Sequence, residues 1–287
     1  MKKVNIKLVV LFVFSVMITS LSCIEKKTYS SPPGYDLNAP VKYFMPESLQ
    51  EISGIAFHQG KPDSIYAEQD EEGKIFYFKL GDKQISHSKF GKAGDYEDIA
   101  ILGNQVVLLR SDGVFFIFPF NQVRSGQVAN VQKWNEVLPS GEYEGLYADE
   151  KTNQLYTLCK HCDVDNTAKK STIYAFSLSQ TGSVKQTGQF SINVKDIEAK
   201  LGVKKIAFHP SAFAKNQSTN EWYVVSSVNK ILVVTDAAFK VKSVYPINPS
   251  LFIQPEGIAF DNQNNLYISN EGDKITPGTV YKFNYKK

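Results

Sequence analysis

The sequence predicts an all-β chain closed into a β-propeller, and three observations predict it. One phrase recurs five times: "SGIAF" (53–57), "EDIAI" (97–101), "EGLYA" (144–148), "SAFAK" (211–215) and "EGIAF" (256–260). Successive copies begin 44, 47, 67 and 45 residues apart, and a period near 45 residues with several short strands per unit marks a propeller blade. Tyr, Phe, Val and Ile occur in short runs with little helical periodicity, which favours strands.

The elements follow in order. "VKYFM" (41–45) is extended and is expected to close the ring by pairing with the last blade, because an open propeller leaves strand edges exposed. Each recurring phrase is the first strand of a blade. A turn rich in Asp, Asn or Gly follows, and then a second strand, from "SIYAEQ" at 64 to "NLYISN" at 265. Third strands include "GKIFYFKL" (73–80), "GVFFIFPF" (113–120) and "GTVYKFNY" (278–285). The long third interval holds "CKHCDVDNTAKK" (159–170), expected to extend a hairpin, and "VKDIEAKLG" (194–202), expected to form a short helix. Five blades account for the chain from 47 onward; a degenerate sixth in the long interval is the alternative.

The N-terminus reads as an address. A basic head precedes an eleven-residue apolar run, Leu8 to Ile18, broken only by Ser15, a length that suits a signal-peptide core and is too short to span a bilayer. "TSLSC" follows, ending at Cys23. This resembles a bacterial lipoprotein signal. The expected organisation is a signal over 1–22, a lipidated Cys23 with a flexible tether to residue 40, and a propeller over 41–287. The expected location is the cell envelope, with the outer membrane favoured and acyl chains as the membrane contact. An ordinary secretory signal, with Cys23 incidental, is the alternative. Three of the 32 basic residues and none of the 29 acids lie in 1–22, so the remainder is formally neutral. That excludes nucleic acid as a partner, because its recognition needs a basic patch or stripe.

"LQEISGIAF", "YEDIAI", "YEGLYAD", "HPSAF", "SSVNKILVV" and "QPEGIAFDNQNNLYISNEG" together resemble the SdiA-regulated domain family over roughly residues 40–287. Members are exported bacterial propellers distantly related to NHL-repeat proteins. The resemblance implies five blades, often on a lipoprotein, and a calcium site in at least one member. It supplies no activity.

The repeat itself places acids together. Glu97, Glu144 and Glu256 occupy one repeat position, and the other two copies carry Ser53 and Ser211. Glu51, two residues before Ser53, is expected on the same strand face. First strands line the channel of a propeller, so these acids are expected to converge at one mouth. Converging carboxylates repel and raise one another's pKa unless a cation is present, and an all-oxygen set suits Ca²⁺. The competing reading is that each Glu caps backbone N–H groups or binds an Arg. Asp98 points to the opposite face and ranks lower. "AEQDEEGK" (67–74) and "SNEGD" (269–273) are expected in solvated turns, and neither has the EF-hand spacing.

Cys159 and Cys162, in "CKHC", are expected to form a local disulfide in an exported chain. Redox catalysis needs a helix N-terminus, and zinc needs two further ligands. His58 and His209 are weak candidates for general bases, and no nucleophile, zinc or phosphate-loop motif is present. Two functions remain. One is a non-catalytic module with calcium, binding a small molecule, glycan or protein. The other is a calcium-dependent hydrolase of lactones or phosphoesters.

Overall fold

The structure, a computed structural model, describes residues 28–287; the apolar run, Cys23 and the expected cleavage point lie outside the described residues. Twenty strands form five four-stranded antiparallel sheets. Strand β1 (Val41–Phe44) comes first in the chain. Blade 1 is β2 (Ile52–Ala56), β3 (Ile65–Gln69), β4 (Lys74–Phe78) and β5 (Ser86–Lys89). Blade 2 is β6 (Tyr96–Leu102), β7 (Gln105–Arg110), β8 (Phe115–Pro119) and β9 (Gln132–Trp134). Blade 3 is β10 (Gly141–Asp149), β11 (Gln154–Cys162), β12 (Lys170–Leu178) and β13 (Val184–Asn193). Blade 4 is β14 (Ala212–Asn216), β15 (Glu221–Ser226), β16 (Ile231–Thr235) and β17 (Val241–Pro246). Blade 5 is β18 (Pro255–Phe260), β19 (Leu266–Asn270) and β20 (Thr279–Phe283), completed by β1.

The five recurring phrases form the five first strands. Each of β2, β6, β10, β14 and β18 neighbours the next, and β18 returns to β2, so they ring the axis. The ring is sealed where β1 pairs with β20, from Val41 opposite Lys282 to Phe44 opposite Thr279. No sixth blade occupies the long interval. Its length goes into nine-residue strands β11 and β12, the ten-residue β13 and helix α1 (Val194–Leu201). Asn193 caps that helix by accepting from the Lys195 N–H, and Gly202 ends it in the left-handed region at φ 70°.

Blades pack face to face, which explains the continuous apolar runs. Strands β2, β3 and β16 are buried along their whole length, whereas outer strands β5 and β13 are mostly exposed. A strand covered on both faces has no polar side to alternate with. Five apolar clusters fill the five interfaces, one between each pair of neighbouring blades. The bulkiest buried side chain, Trp222, stacks on Phe213 and Phe239 at centroid distances of 5.2 and 4.8 Å, between blades 3 and 4.

The stretch read as a flexible tether is partly docked. Tyr35 and Leu37 are buried with the cluster between blades 4 and 5. The Tyr35 hydroxyl donates to the Asn264 carbonyl at 2.7 Å. Apolar side chains spaced among Pro and Gly are enough to dock a segment, and composition alone hides that.

Candidate functional site

Three first strands open with the same irregularity. The pairing skips one residue between Tyr96 and Asp98, between Tyr143 and Gly145, and between Pro255 and Gly257. The residue left over is Glu97, Glu144 or Glu256. A β-bulge of this kind frees one residue from the ladder and re-aims its side chain. In β2 the skipped residues are Ser53 and Gly54, while β14 pairs regularly from Ala212, just after Ser211. The glycines beside the bulges permit close approach between blades. A Cβ on Gly54 would stand 2.3 Å from Asp98 Oδ1, and one on Gly257 would stand 2.4 Å from the Ser53 carbonyl oxygen.

The three bulged glutamates lie within electrostatic reach of one another. Burial pushes Glu97 up to about 10, helped by Glu144, Asp95 and Glu256. Burial and then Glu256 push Glu144 up to about 8, against Lys160. Glu256 is raised by burial, while the Ser211 hydroxyl and Lys160 hold it down. Buried carboxylates this close resist ionising together.

Glu51 joins a different group. It lies in the turn before β2, which starts only at Ile52, so the two-residue alternation of a strand does not reach it. Glu51 lies beside Asp70, whose carboxyl is raised to about 6 by burial and then by the Glu51 charge. Glu271 connects the two groups: burial, then Glu256, Asp70 and Glu51, raise it to about 8. The result is an arc of acids at the mouth formed by the N-terminal ends of the first strands.

One cation of the protein already sits in this arc. Lys160 Nζ on β11 pairs with Glu144 and lies 3.0 Å from Glu142. Burial alone would lower the Lys160 pKa, but Glu144 and Glu142 hold it above the ordinary lysine value. Several buried atoms nevertheless lack hydrogen-bond partners: Glu144 Oε2, Asp70 Oδ1 and both polar side-chain atoms of Asn270. Carboxylate and amide oxygens without partners are the donor set of a hard cation, so in chemistry these residues fit calcium. They are more open than a closed shell. Among the described residues, the one trio of metal-ligating side chains whose donor atoms lie within 4.8 Å is Cys159, Cys162 and Asp165. There the two sulfurs are joined as a disulfide, and Asp165 accepts from the N–H and hydroxyl of Thr172.

The profile of the SdiA-regulated family matches residues 31–284. The chain belongs to the SdiA-regulated family. No curated sequence matches it. Among solved structures, it resembles a luciferin-regenerating enzyme at 12% identity, with 86% of this chain and 95% of that one covered and a TM-score of 0.52. It also resembles glutaminyl cyclase from Myxococcus xanthus at 15% identity, covering 86% and 98% of the two chains, with a TM-score of 0.55. At such identities the likeness is one of fold.

In this SdiA-regulated propeller the two candidate histidines sit at opposite ends. His58 follows β2 at the far mouth, stacked on Phe120 at 3.9 Å with Nε2 3.2 Å from the Gly103 carbonyl oxygen. It is remote from the carboxylates. His209 lies at the acid mouth, its pKa lowered by burial and then by His161 and Lys160. Ser53 spends its hydroxyl on the Glu97 carbonyl across the blade interface, at 2.9 Å. Asp98 is buried, and its two oxygens accept from the N–H groups of Ile99 and Leu146, at 2.8 and 2.6 Å. It is a structural bridge between blades 2 and 3.

Two expectations about turns are corrected. Glu68 is on β3 and fully buried, accepting the Gly54 N–H at 2.6 Å, and Asn270 ends β19, 2% exposed. Both lie in the last two residues of second strands, opposite the irregular start of a first strand. The sequence reading also missed Lys160. Its signal was present, since Lys160 lies between the two cysteines on the strand paired with "GEYEG", but that pairing becomes visible only with a register.

Proposed function

We propose that this protein is a binding module of the cell envelope, lipid-anchored through Cys23 with the outer membrane favoured, whose acid mouth takes a calcium ion and presents it to a small molecule, glycan or protein. One observation carries the reading: carboxyls gathered at one mouth, each raised by burial and then by its neighbours, with Glu144 Oε2 and the Asn270 amide lacking any partner. Glu144, Glu256, Glu97 and the Asn270 amide oxygen would hold the ion, with Glu51 and Asp70 at the margin. Bound there, calcium supplies positive charge that lets these carboxyls ionise.

The test is thermal unfolding across a calcium titration with magnesium as control. A ligand that binds the folded state alone raises stability, by about 2.7 kcal/mol at a hundred-fold excess over Kd. Calcium is expected to raise the melting temperature selectively, and Glu144→Ala or Glu256→Ala to remove most of that rise. A calcium response unchanged in both variants would take them out of the site. Cys23→Ser is expected to release the protein from membranes, and retention would defeat the anchor.

A second reading, a calcium-dependent hydrolase of lactones or phosphoesters, draws on His209. Burial, then His161 and Lys160, lower the pKa of that imidazole and so favour the neutral form that a general base requires. The two solved neighbours named above are enzymes, which adds analogy of fold only. A screen with simple lactones and phosphoesters separates the readings. Turnover lost in His209→Gln favours the hydrolase, and its absence in the calcium-responsive protein favours the binding module.

A further inference from the structure

The far mouth of the channel has a different construction. Position four of the recurring phrase is Ala56, Ala100, Ala214 and Ala259 in four copies and Tyr147 in the third. All five residues line one cavity of about 400 Å³ at the C-terminal ends of the first strands. Position three is large in every copy, with Ile55, Ile99, Leu146 and Ile258 also lining the cavity. A layer of large side chains therefore floors a layer of small ones, and the five-fold repeat hollows out a cup. Its volume falls within the roughly 300–1,000 Å³ of small-molecule sites.

Exposed Gln59, Glu150, Lys151, Ser218 and Asn262 also line the cup, while its buried and half-buried polar groups are few. Tyr147 accepts a hydrogen bond from Gln217 Nε2 at 2.7 Å, while its own proton meets only the Lys215 carbonyl, at 3.5 Å. Asn264, 8% exposed and on the wall, keeps a buried side-chain nitrogen without a partner. The two buried acids beside the cup are already occupied, and Glu150 on the lining is exposed to solvent. Asp261 accepts from Asn265, Gln263 and Tyr267, and Asp149 is paired with Lys215 at 3.0 Å. Phe57 and Phe260 add aromatic wall. The cup thus offers donors and rings, and both of its buried carboxylates are committed.

We propose that this cup binds a small, mostly apolar, ring-bearing molecule carrying one hydrogen-bond acceptor, a carbonyl or an acidic anion, which takes the Tyr147 hydroxyl and the Asn264 amide as donors. The site is independent of the acid mouth and of any metal there. Flat rings suit the aromatic walls through edge and offset contacts, and an acceptor satisfies donors that otherwise remain buried and unmet.

The experiment titrates the purified protein with 1-anilinonaphthalene-8-sulfonate and follows fluorescence. Saturable one-to-one binding is expected. Ala100→Trp, which fills the cup, is expected to weaken binding at least ten-fold, and Asn264→Gly, which keeps the positive φ of 67° but deletes the donor, a few-fold. Thr187→Trp on the exposed face of β13 is the control and is expected to change nothing. Melting curves check that each variant folds; if Ala100→Trp does not, Asn264→Gly and Tyr147→Phe decide. The proposal is overturned by an absence of saturable binding, or by binding that the folded cup variants leave unaltered.

Discussion

The two mouths of the channel are built by the same five strands from the same repeated phrase, yet one is a crowd of carboxyls and the other an apolar cup. At the N-terminal ends, bulges at Glu97, Glu144 and Glu256 release one residue each from the ladder. At the C-terminal ends the pairing is regular, and Ala56, Ala100, Ala214 and Ala259 keep the space open. The lesson is that a single unpaired residue per strand changes what a channel end can bind. Charge collects where the ladder is broken, and volume collects where a small residue recurs within an intact one.

Four tests break or sharpen this contrast. The largest effect is expected from Asp98, which lies one residue past a bulge and ties two blades together through buried N–H bonds. Asp98→Ala leaves both donors unmet, and a loss of about 3 kcal/mol is expected in urea unfolding. A loss below about 1 kcal/mol would mean that the bulges do not need this bridge.

The second test is pH. Glu97 and Glu144 have folded-state values of about 10 and about 8 against an ordinary 4.5. Between those values the folded state binds more protons than the unfolded one, so stability falls as pH rises. Without calcium, the melting temperature is expected to drop progressively from pH 5 to pH 9, and calcium is expected to flatten the drop. Ala100→Trp, at the other mouth, should leave the slope untouched. A flat profile in the metal-free protein would contradict the raised carboxyls.

Lys160 provides the third. It is the cation that partly neutralises Glu144, so Lys160→Met should tighten calcium binding about ten-fold at pH 8.5, equivalent to about 1.4 kcal/mol. Unchanged or weaker calcium binding, read by calorimetry, would show that the ion and the lysine do not compete. The smallest effect belongs to His58→Ala. Losing its stack on Phe120 should cost about 1 kcal/mol and leave the calcium response as it was. Any change in that response would link the two mouths.

Recurrence along the chain determined the architecture. Five copies in the same order of strand, turn and strand dictate five blades, and Val41–Phe44 closes on Thr279–Phe283 because an open ring leaves two edges unpaired. The equivalence of Glu97, Glu144 and Glu256 was legible too, since equivalent repeat positions meet around an axis. What only the tertiary structure decided is where each neighbouring side chain ends up. Alternation holds only inside a strand, so it misplaced Glu51 in the turn before β2, and the turn-like composition of 67–74 and 269–273 hid that Glu68 and Asn270 belong to buried strand ends. Lys160 and the docking of Tyr35 rest on contacts between residues distant along the chain. Such contacts carry no local signature, because their energy comes from burial against partners that the fold alone brings within reach.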